Sequence, residues 1–468
     1  MNAKLLLVIC GALAAAAPAR ADDDDQALVH LDVKPKKRVY SLAECLALTD
    51  RNHPQNWAAR ARLGVARGQL DEAKYTPYFQ WWANATAGVL PQIAGSLLYT
   101  QFQPTAINPS AFGAGYAPFF QMSLNMNLPL YTFGKIDAGL NLANANVRFN
   151  EWDAEKFRQM SRMDVRRAYF GVLYARDARY LAHEVEKKLD KAIQNLSDRI
   201  DKGDKDVDEV DRFRLQLYRD ETLARAAEAD RGEAYAMAAL RFMTGVASNF
   251  DVPDVPLKKP DVPLAPVVRY LAAARLFRPD VNLARAGVEA RKAELALQRA
   301  RYFPDIGLGL SAFYSVAPSV VGQNNFFAAN NFNFFGYGIA VGARWSLDIP
   351  TNMARVEQAE SRLEETRALE RLALGGIGVE VENAYASSVE AKTREEHWDH
   401  AEHLARQWIA TTESAIDLGT KDDRALIEPL RAYVGARLEH LRALNDLNVN
   451  MSDLARVSGW DTAAPTGN

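Results

Sequence analysis

The 468-residue sequence has few cysteines and no long apolar segment beyond its N-terminus. Only one of its two cysteines, Cys45, lies outside the first 21 residues, and a single cysteine cannot form an internal disulfide. After residue 21 no segment is long and apolar enough to form a membrane-spanning helix. A phosphate-binding loop, a G-x-S-x-G elbow and an H-E-x-x-H motif are also absent, so no sequence motif indicates an enzyme or a cofactor.

The N-terminus has the pattern of a secretory signal peptide over residues 1–21. A lysine precedes an apolar run from residue 5 to 17, and residues 19–21 match an A-x-A cleavage site. We expect no lipid anchor, because the residues before Cys10 are too large for a lipoprotein signal. Cleavage would leave an N-terminal tail over residues 22–40, beginning with the acidic cluster Asp22–Asp25. It would also change the formal net charge from −3 to −5, and a mildly acidic chain gives no reason to expect a nucleic-acid partner.

Two segments of the sequence repeat each other. The phrase I-D-x-G-x-K-D occurs at residues 200–206 and again at 416–422, and at the same offset Tyr169 matches Tyr385. Between the copies, residues 253–266 contain five prolines in fourteen positions, a composition typical of an extended linker. The sequence therefore predicts repeat 1 over residues 41–252, repeat 2 over residues 267–460, and a C-terminal tail over residues 461–468.

Long helices fit where proline is absent, from residue 130 to 252 and from 351 to 428. Apolar residues recur there in steps of three and four, as in a coiled coil, for example from Leu181 to Ile200 and from Leu430 to Leu454. The predicted elements are long helices over about 136–199 and 352–415, tips at 200–206 and 416–422, and return helices to about 247 and 458.

The repeated phrase lies where each long helix has to reverse. Gly203 and Gly419 can supply the left-handed residue that ends a helix, and Asp206 and Asp422 can cap the returning helix. Glu209, three residues after Asp206, adds a capping-box partner in repeat 1. The two phrases therefore predict the tips of helical hairpins.

Four segments alternate polar and apolar residues, which is the period of a strand with one wet and one dry face. The predicted strands are 79–89 and 119–130 in repeat 1, and 306–315 and 336–348 in repeat 2. Each has about 10 residues, the length that a tilted strand needs to cross a bilayer. Aromatic residues crowd their helix-side ends, as in a membrane-interface girdle: Tyr78, Trp81, Trp82, Tyr131, Phe133, Tyr302, Phe303 and Trp345.

The membrane interpretation requires several copies of the chain. Without a membrane-spanning helix, only a closed barrel can cross the bilayer, and four strands are too few to close one. The edge strands would have to pair with those of other copies. A soluble core of two sheets could produce the same alternation.

In this order and duplication, the segments resemble the TolC-like outer membrane factors, the exit ducts of efflux pumps and type I secretion systems. The resemblance extends from Ser41 to about Trp460 and is carried by these residues: Leu42, Glu44, Asn52, Pro54, residues 129–135, Tyr169, Tyr385 and the two glycine tips. It implies a fold that is mainly α with a membrane β-barrel. Three copies would share a twelve-stranded barrel in outer membrane lipid and an α-helical barrel in the periplasm. The implied partners are a periplasmic adaptor protein and an inner-membrane transporter.

The resemblance also implies roles for residues at the tips. Glu428 matches a carboxylate that rings the constriction, whereas Ala425 occupies the position of a second carboxylate ring. Glu209 and Lys421 match residues that lock the closed state, and Ile416 replaces the tyrosine that usually faces Glu209. The expected gate residues are Glu428, Glu209, Lys421, Asp422 and Asp206, and the expected adaptor-docking residues are Gly203, Lys205, Gly419 and Lys421. Pro429 is expected to kink the interior of the returning helix close to this gate.

His397, His400 and His403 form a weak candidate metal site in the segment EEHWDHAEH. Steps of three bring neighbouring histidines onto adjacent helical positions, where a pair with a carboxylate could bind a transition metal. The three together spread over about a third of the helix circumference, so one ion cannot easily contact all of them. A solvated polar face is the alternative, and the sequence predicts no required metal.

The predicted function is a passive outer membrane channel that exports solutes, with a periplasmic extension and no enzymatic activity. Two other classes of protein stay open. A periplasmic coiled-coil adaptor or scaffold would share the hairpins but does not need four amphipathic strands. An exported hydrolase using a pair of carboxylates would show turnover. Neither accounts for the repeated order of strands, long helix and tip.

Overall fold

The computed structural model describes residues 38–91, 116–202, 209–246, 249–318, 333–421 and 423–460. The chain divides into a short unit, Met1–Arg38, and a long unit, Val39–Asn468. Only Arg38 of the short unit is described. The predicted signal peptide, most of the predicted N-terminal tail and the predicted C-terminal tail lie outside the described residues.

The described part of the chain contains six strands and eight α-helices. The strands are β1 (Arg38–Val39), β2 (Gln80–Pro91), β3 (Tyr116–Tyr131), β4 (Phe250–Asp251), β5 (Asp305–Val316) and β6 (Phe334–Arg344). The helices are α1 (Leu42–Asn52), α2 (Pro54–Tyr75), α3 (Lys135–Asp201), α4 (Glu209–Thr244), α5 (Val267–Phe277), α6 (Pro279–Ala300), α7 (Ile349–Asp417) and α8 (Ile427–Val457).

Two helices dominate the long unit. α3 contains 67 residues and α7 contains 69 residues, and each is therefore about 100 Å long at about 1.5 Å per residue. α3 packs against α4, and α7 packs against α8, as helical hairpins. α6 and α8 each contact both long helices, so they lie between α3 and α7, while α2 and α4 contact α3. None of the helices in the described ranges is long and apolar enough to cross a membrane.

Four strands form one antiparallel sheet in the order β2-β3-β5-β6. The central pairing, β3 with β5, joins the two repeats, with Met126 opposite Leu310. The register shifts between Pro129 and Tyr131, where β3 approaches α3. β2 and β6 are the two edges of the sheet within the described residues.

Apolar side chains pack along the whole length of the hairpins. The stripe predicted on α3 is buried at Leu181, Val185, Leu189 and Leu196, against a cluster that includes Leu430 of α8. A second cluster surrounds Cys45, which is fully buried beside α3, α4 and β4. Burial, reinforced by the neighbouring charge of Glu44, raises the pKa of the Cys45 thiol to about 11. This cysteine is therefore an unreactive core residue.

The single-chain features of the predicted fold class are confirmed, but one local prediction is wrong. Four strands in one sheet and two hairpins built on long helices are present in the described residues. Pro429 does not interrupt a helix interior, because α8 begins at Ile427 after a 3-10 helix over Asp423–Leu426. It lies in the first helical turn, where the N–H that proline lacks would have no helical acceptor.

Candidate functional site

The four-stranded sheet has one polar and one apolar face. Paired residues of neighbouring strands share a face, and the register pairs Asn84 with Ser123 and Asn127 with Gly309. The polar face carries Gln80, Asn84, Thr86, Gln121, Ser123, Asn125, Asn127, Ser311 and Ser315. The opposite face carries Met122, Leu124, Met126, Leu128, Ile306, Leu308, Leu310, Tyr337, Ile339 and Val341. At the β6 edge this apolar face is open, with Tyr337 84% exposed and Ile339 and Val341 each 67% exposed.

The polar face leads into a concave cavity of about 590 Å³ at the helix-side end of the sheet. Its walls combine polar-face residues such as Gln80 and Asn127 with the first turns of α3. There the Lys135 ammonium donates to the Asp305 carboxylate at 2.7 Å and to the Phe303 carbonyl at 2.8 Å. Arg344 is the register partner of Asp305 across the β5–β6 pair. Lys135, Asp305 and Arg344 therefore form a charged girdle at the junction of the sheet with the helices.

Charged side chains end at this girdle. No Asp, Glu, Lys, Arg or His occurs from residue 75 to 134 or from residue 306 to 343, although charged residues make up 25% of the chain. Between the residues of this girdle and the far end of the sheet, the polar groups of this face are therefore amides and hydroxyls. The sequence shows these two uncharged stretches directly. They could have been used to predict which segments belong to the sheet and which to the helices.

At the second tip the chain reverses through the predicted glycine. Gly419 has a φ of +70°, and the N–H groups of Gly419 and Thr420 donate to the carbonyls of Ile416 and Ala415 at 2.8 and 2.9 Å. This is the Schellman pattern, which a left-handed glycine permits. Lys421 follows it and is exposed. The predicted tip residues Gly203, Lys205, Asp206 and Asp422 lie outside the described residues.

The predicted gate carboxylates occupy the first turns of the two return helices. Glu428 is the second residue of α8 and is exposed. Glu209 is the first residue of α4, where its carboxylate pairs with Arg212 at 3.1 Å. Within the described residues no ion pair joins Glu209 to Lys421, and the other expected partner of Lys421, Asp206, is not described.

A contact between the two tips involves residues that sequence reasoning missed. Asp211, in the first turn of α4, is 6% exposed. Its carboxylate lies 3.3 Å from Arg214 and 3.5 Å from Arg424, which belongs to the 3-10 helix before α8. The ion pair between Asp211 and Arg424 connects the start of α4 to the 3-10 helix that precedes α8. Its only sequence signal is the proximity of both residues to the repeated phrase.

The three histidines of the predicted metal site are exposed to solvent. His397, His400 and His403 are all exposed on α7, and a ring nitrogen of His403 is 3.2 Å from the Gln407 amide. In the part of the chain that the structure describes, no group of three or more His, Cys, Asp or Glu residues is arranged to hold a metal ion.

His440 of α8 is a buried histidine that sequence reasoning missed. Its Nδ1 lies 2.6 Å from the carboxylate of Glu402 on α7, which also accepts from Arg437 and Arg406, each at 2.8 Å. Burial alone would raise the pKa of Glu402, but the hydrogen bonds from His440 and Arg437 outweigh it and lower this pKa to about 2. Glu402 therefore stays ionised inside the α7–α8 hairpin.

Comparison with known proteins identifies a family and a fold. A family model described as outer membrane efflux protein matches residues 52–246 and 271–459. No curated protein matches the sequence. Three solved structures are similar: a membrane protein from Pseudomonas aeruginosa (17% identity, 90% of this chain and 91% of that one, TM-score 0.72), the open state of the Neisseria gonorrhoeae MtrE outer membrane channel (18%, 89% and 88%, 0.71) and the Campylobacter jejuni CmeC outer membrane channel (14%, 91% and 87%, 0.71).

Proposed function

Because the chain belongs to the outer membrane efflux protein family, we propose that it forms the passive exit duct of a tripartite efflux pump or type I secretion system. The observation that carries this proposal is the two-faced sheet, whose polar face leads into the cavity at its helix-side end. The open apolar face suits contact with lipid, and the polar face suits a water-filled lumen. The family is one of efflux proteins, and no described feature favours the alternative adaptor or scaffold.

The two lateral sides of the chain support assembly into a ring. Among the described residues, β2 and β6 are the edges of the sheet, and α2 with α4 on one side and α7 on the other are the outer helices. Both helical sides expose large apolar residues: Trp57, Val65, Phe213, Leu217, Tyr235 and Phe242 on the first, and Leu369, Leu372, Val379, Leu404 and Trp408 on the second. Because the two sides differ, copies would associate head to tail, and such contacts form a ring when the rotation between neighbouring copies closes. Three copies would give a twelve-stranded barrel.

The gate in this proposal lies at the helical tips. Three Glu428 side chains would converge in the trimer and concentrate cations at the entrance. Asp211 and Arg424 would hold the tips of one chain together, and losing such a partly exposed pair costs only about 0–1 kcal/mol. A periplasmic adaptor that docks near Gly419 and Lys421 could therefore open the tips, while an inner-membrane transporter supplies the energy.

Single-channel current from the detergent-extracted oligomer tests this function. In a planar bilayer we expect a small, cation-preferring current, and Glu428→Ala should lower the cation-to-anion permeability ratio roughly twofold or more, because it removes a ring of negative charge. The matched control is Glu396→Ala, which removes an exposed carboxylate of α7 about 30 Å from the tip at about 1.5 Å per residue.

The outcomes separate the duct from its gate. A folded oligomer without any conductance would contradict the duct and favour the adaptor. Conductance with an unchanged preference in Glu428→Ala would keep the duct and remove Glu428 from the gate. An equal change in Glu396→Ala would show that the preference reflects the charge of the whole chain.

A further inference from the structure

Three phenylalanines interrupt the polar face of the sheet at the end farthest from the helices. Phe119 is the register partner of Gly88, Phe313 of Ser123 and Gly336, and Phe334 of Ser315. These partners belong to the polar face, so the three rings lie on that face as well. The ring centroids of Phe313 and Phe334 are 6.3 Å apart, with a tilt of 38° between the rings.

Glycines make room for two of these rings. A Cβ atom at Gly88 would lie 2.5 Å from the Phe119 ring, and one at Gly336 would overlap the Phe334 ring. Phenylalanine over glycine stabilises a sheet by covering bare backbone, but that role does not require an open ring. Phe334 remains 49% exposed, and Phe119 and Phe313 remain partly exposed. Aromatic surface is therefore presented on the face that the proposed duct fills with water.

The chemistry around the rings decides what they can bind. All three phenylalanines lie in the charge-free stretches: Phe119 in residues 75–134, and Phe313 and Phe334 in residues 306–343. No carboxylate of these stretches can attract a cation, and no Lys, Arg or His can attract an anion. The neighbouring, partly exposed polar-face groups are the hydroxyl of Ser123 and the amide of Gln121. Attraction is left to ring stacking, edge-to-face contact and apolar burial, with neutral hydrogen-bonding groups beside them.

We propose that Phe119, Phe313 and Phe334 form a binding site for uncharged aromatic small molecules near the outer exit of the duct. The site rests on the proposed function, because only a lumen would bring solutes to this face. Three copies would place nine rings around one exit. Ionic preference would come from the tips and from the charged girdle, and the exit would retain uncharged solutes through their aromatic rings.

Two uncharged, water-soluble probes test the site: phenyl β-D-glucoside and its saturated analogue cyclohexyl β-D-glucoside. Their binding to the purified oligomer is followed by saturation-transfer NMR titration. We expect the phenyl compound to bind more tightly, and the double variant Phe313→Leu/Phe334→Leu to weaken its binding roughly threefold to tenfold, which is the effect of losing one or two aromatic contacts. Binding of the cyclohexyl compound should change by less than about twofold, because leucine preserves the apolar surface.

The matched control is Tyr314→Leu, which removes a ring from the same strand on the opposite face and should leave binding unchanged. Equal affinity for the two glucosides, or an unchanged affinity in the double variant, would overturn the proposal. If the double variant does not assemble, Phe119→Leu gives the same comparison on a different strand. The same preparations are tested for conductance in a planar bilayer. A conducting wild type with no aromatic preference refutes this site alone, whereas absence of conductance refutes the duct itself.

Discussion

Replacing Glu402 by glutamine is expected to lower the stability of the α7–α8 hairpin by about 3 kcal/mol, at the low end of the range for breaking a buried ion-pair network. The substitution keeps the size of the side chain and removes its charge. Glu402 is 5% exposed and His440 is 6% exposed, so water cannot replace the lost interaction at the imidazole. In either orientation of the new amide, its N–H₂ group would also face a donor: Arg406 at the Oε1 position, or Arg437 and His440 at the Oε2 position.

The measurement is the apparent melting temperature of the purified oligomer, followed by the far-ultraviolet circular dichroism of its helices. Glu413→Gln is the matched control, because it makes the same change on the same helix at a half-exposed pair with Lys188. That variant should lose at most about 1 kcal/mol. Similar losses in the two variants would contradict the view that the buried network holds α7 to α8.

The acid response gives the same network a second check. A carboxyl group whose folded pKa is lowered contributes stability that is complete above its unfolded pKa and disappears as the pH falls toward its folded value. For Glu402 the ordinary pKa of 4.5 falls to about 2. Its contribution should therefore be present at pH 6 and be lost mainly below pH 4.5, as the pH approaches 2. Glu402→Gln should accordingly narrow the difference in melting temperature between pH 6 and pH 3.

Elements that repeat a simple period could be predicted from the sequence. The alternation of apolar and polar residues from Phe120 to Leu128 predicts a strand, because one face of this sheet is mainly apolar and the other mainly polar. The proline-free segments predict the long helices, and Gly419 predicts the reversal after α7 because only a left-handed residue closes that turn. Resemblance in the order of these pieces predicted the family and the function of an outer membrane channel, and both are confirmed.

Contacts between helices could not be predicted in the same way. His440 and Glu402 are separated by 38 positions and meet only because α7 and α8 pack at one particular register, which neither helix encodes alone. Glu402 lies within the charged segment EEHWDHAEH, which has the composition of a solvated face. The sequence therefore directed attention to the exposed His397, His400 and His403 and away from the buried residue beside them. Pro429 was misplaced for a similar reason, since a helix start depends on the turn that precedes it.

Substituting Gly459 by alanine is expected to destabilise the end of α8 by about 2–5 kcal/mol. Gly459 has a φ of +71°, which costs a residue with a Cβ atom about 1–2 kcal/mol. A Cβ atom there would also lie 2.6 Å from the Arg278 nitrogen, 2.7 Å from the Phe277 carbonyl carbon and 2.9 Å from the Arg278 Cα. All three are backbone atoms at the α5–α6 junction, so the collision cannot be relieved by a side-chain rotation and adds about 1–3 kcal/mol.

The chain offers a control with the opposite sign. Gly435 lies inside α8, and a Cβ atom there would meet nothing within 4 Å in the described chain. Gly435→Ala should therefore stabilise the helix by up to about 1 kcal/mol. The melting temperature of each variant gives the measurement. If the melting temperature of Gly459→Ala equals that of the wild type, α8 does not end against the α5–α6 junction.

In repeat 1, Gly245 allows the cost of a left-handed backbone to be separated from the cost of a steric collision. Gly245 follows α4 with a φ of +64°, and a Cβ atom there would lie 2.9 Å from the Asn52 Cβ and 3.5 Å from the Asn52 carbonyl oxygen. Its backbone strain matches that of Gly459, but only one close atom opposes the new methyl group. Gly245→Ala should therefore lose less stability than Gly459→Ala. Equal losses would assign the effect to the left-handed backbone shared by both glycines, whereas the expected difference measures the collision with the α5–α6 junction in repeat 2.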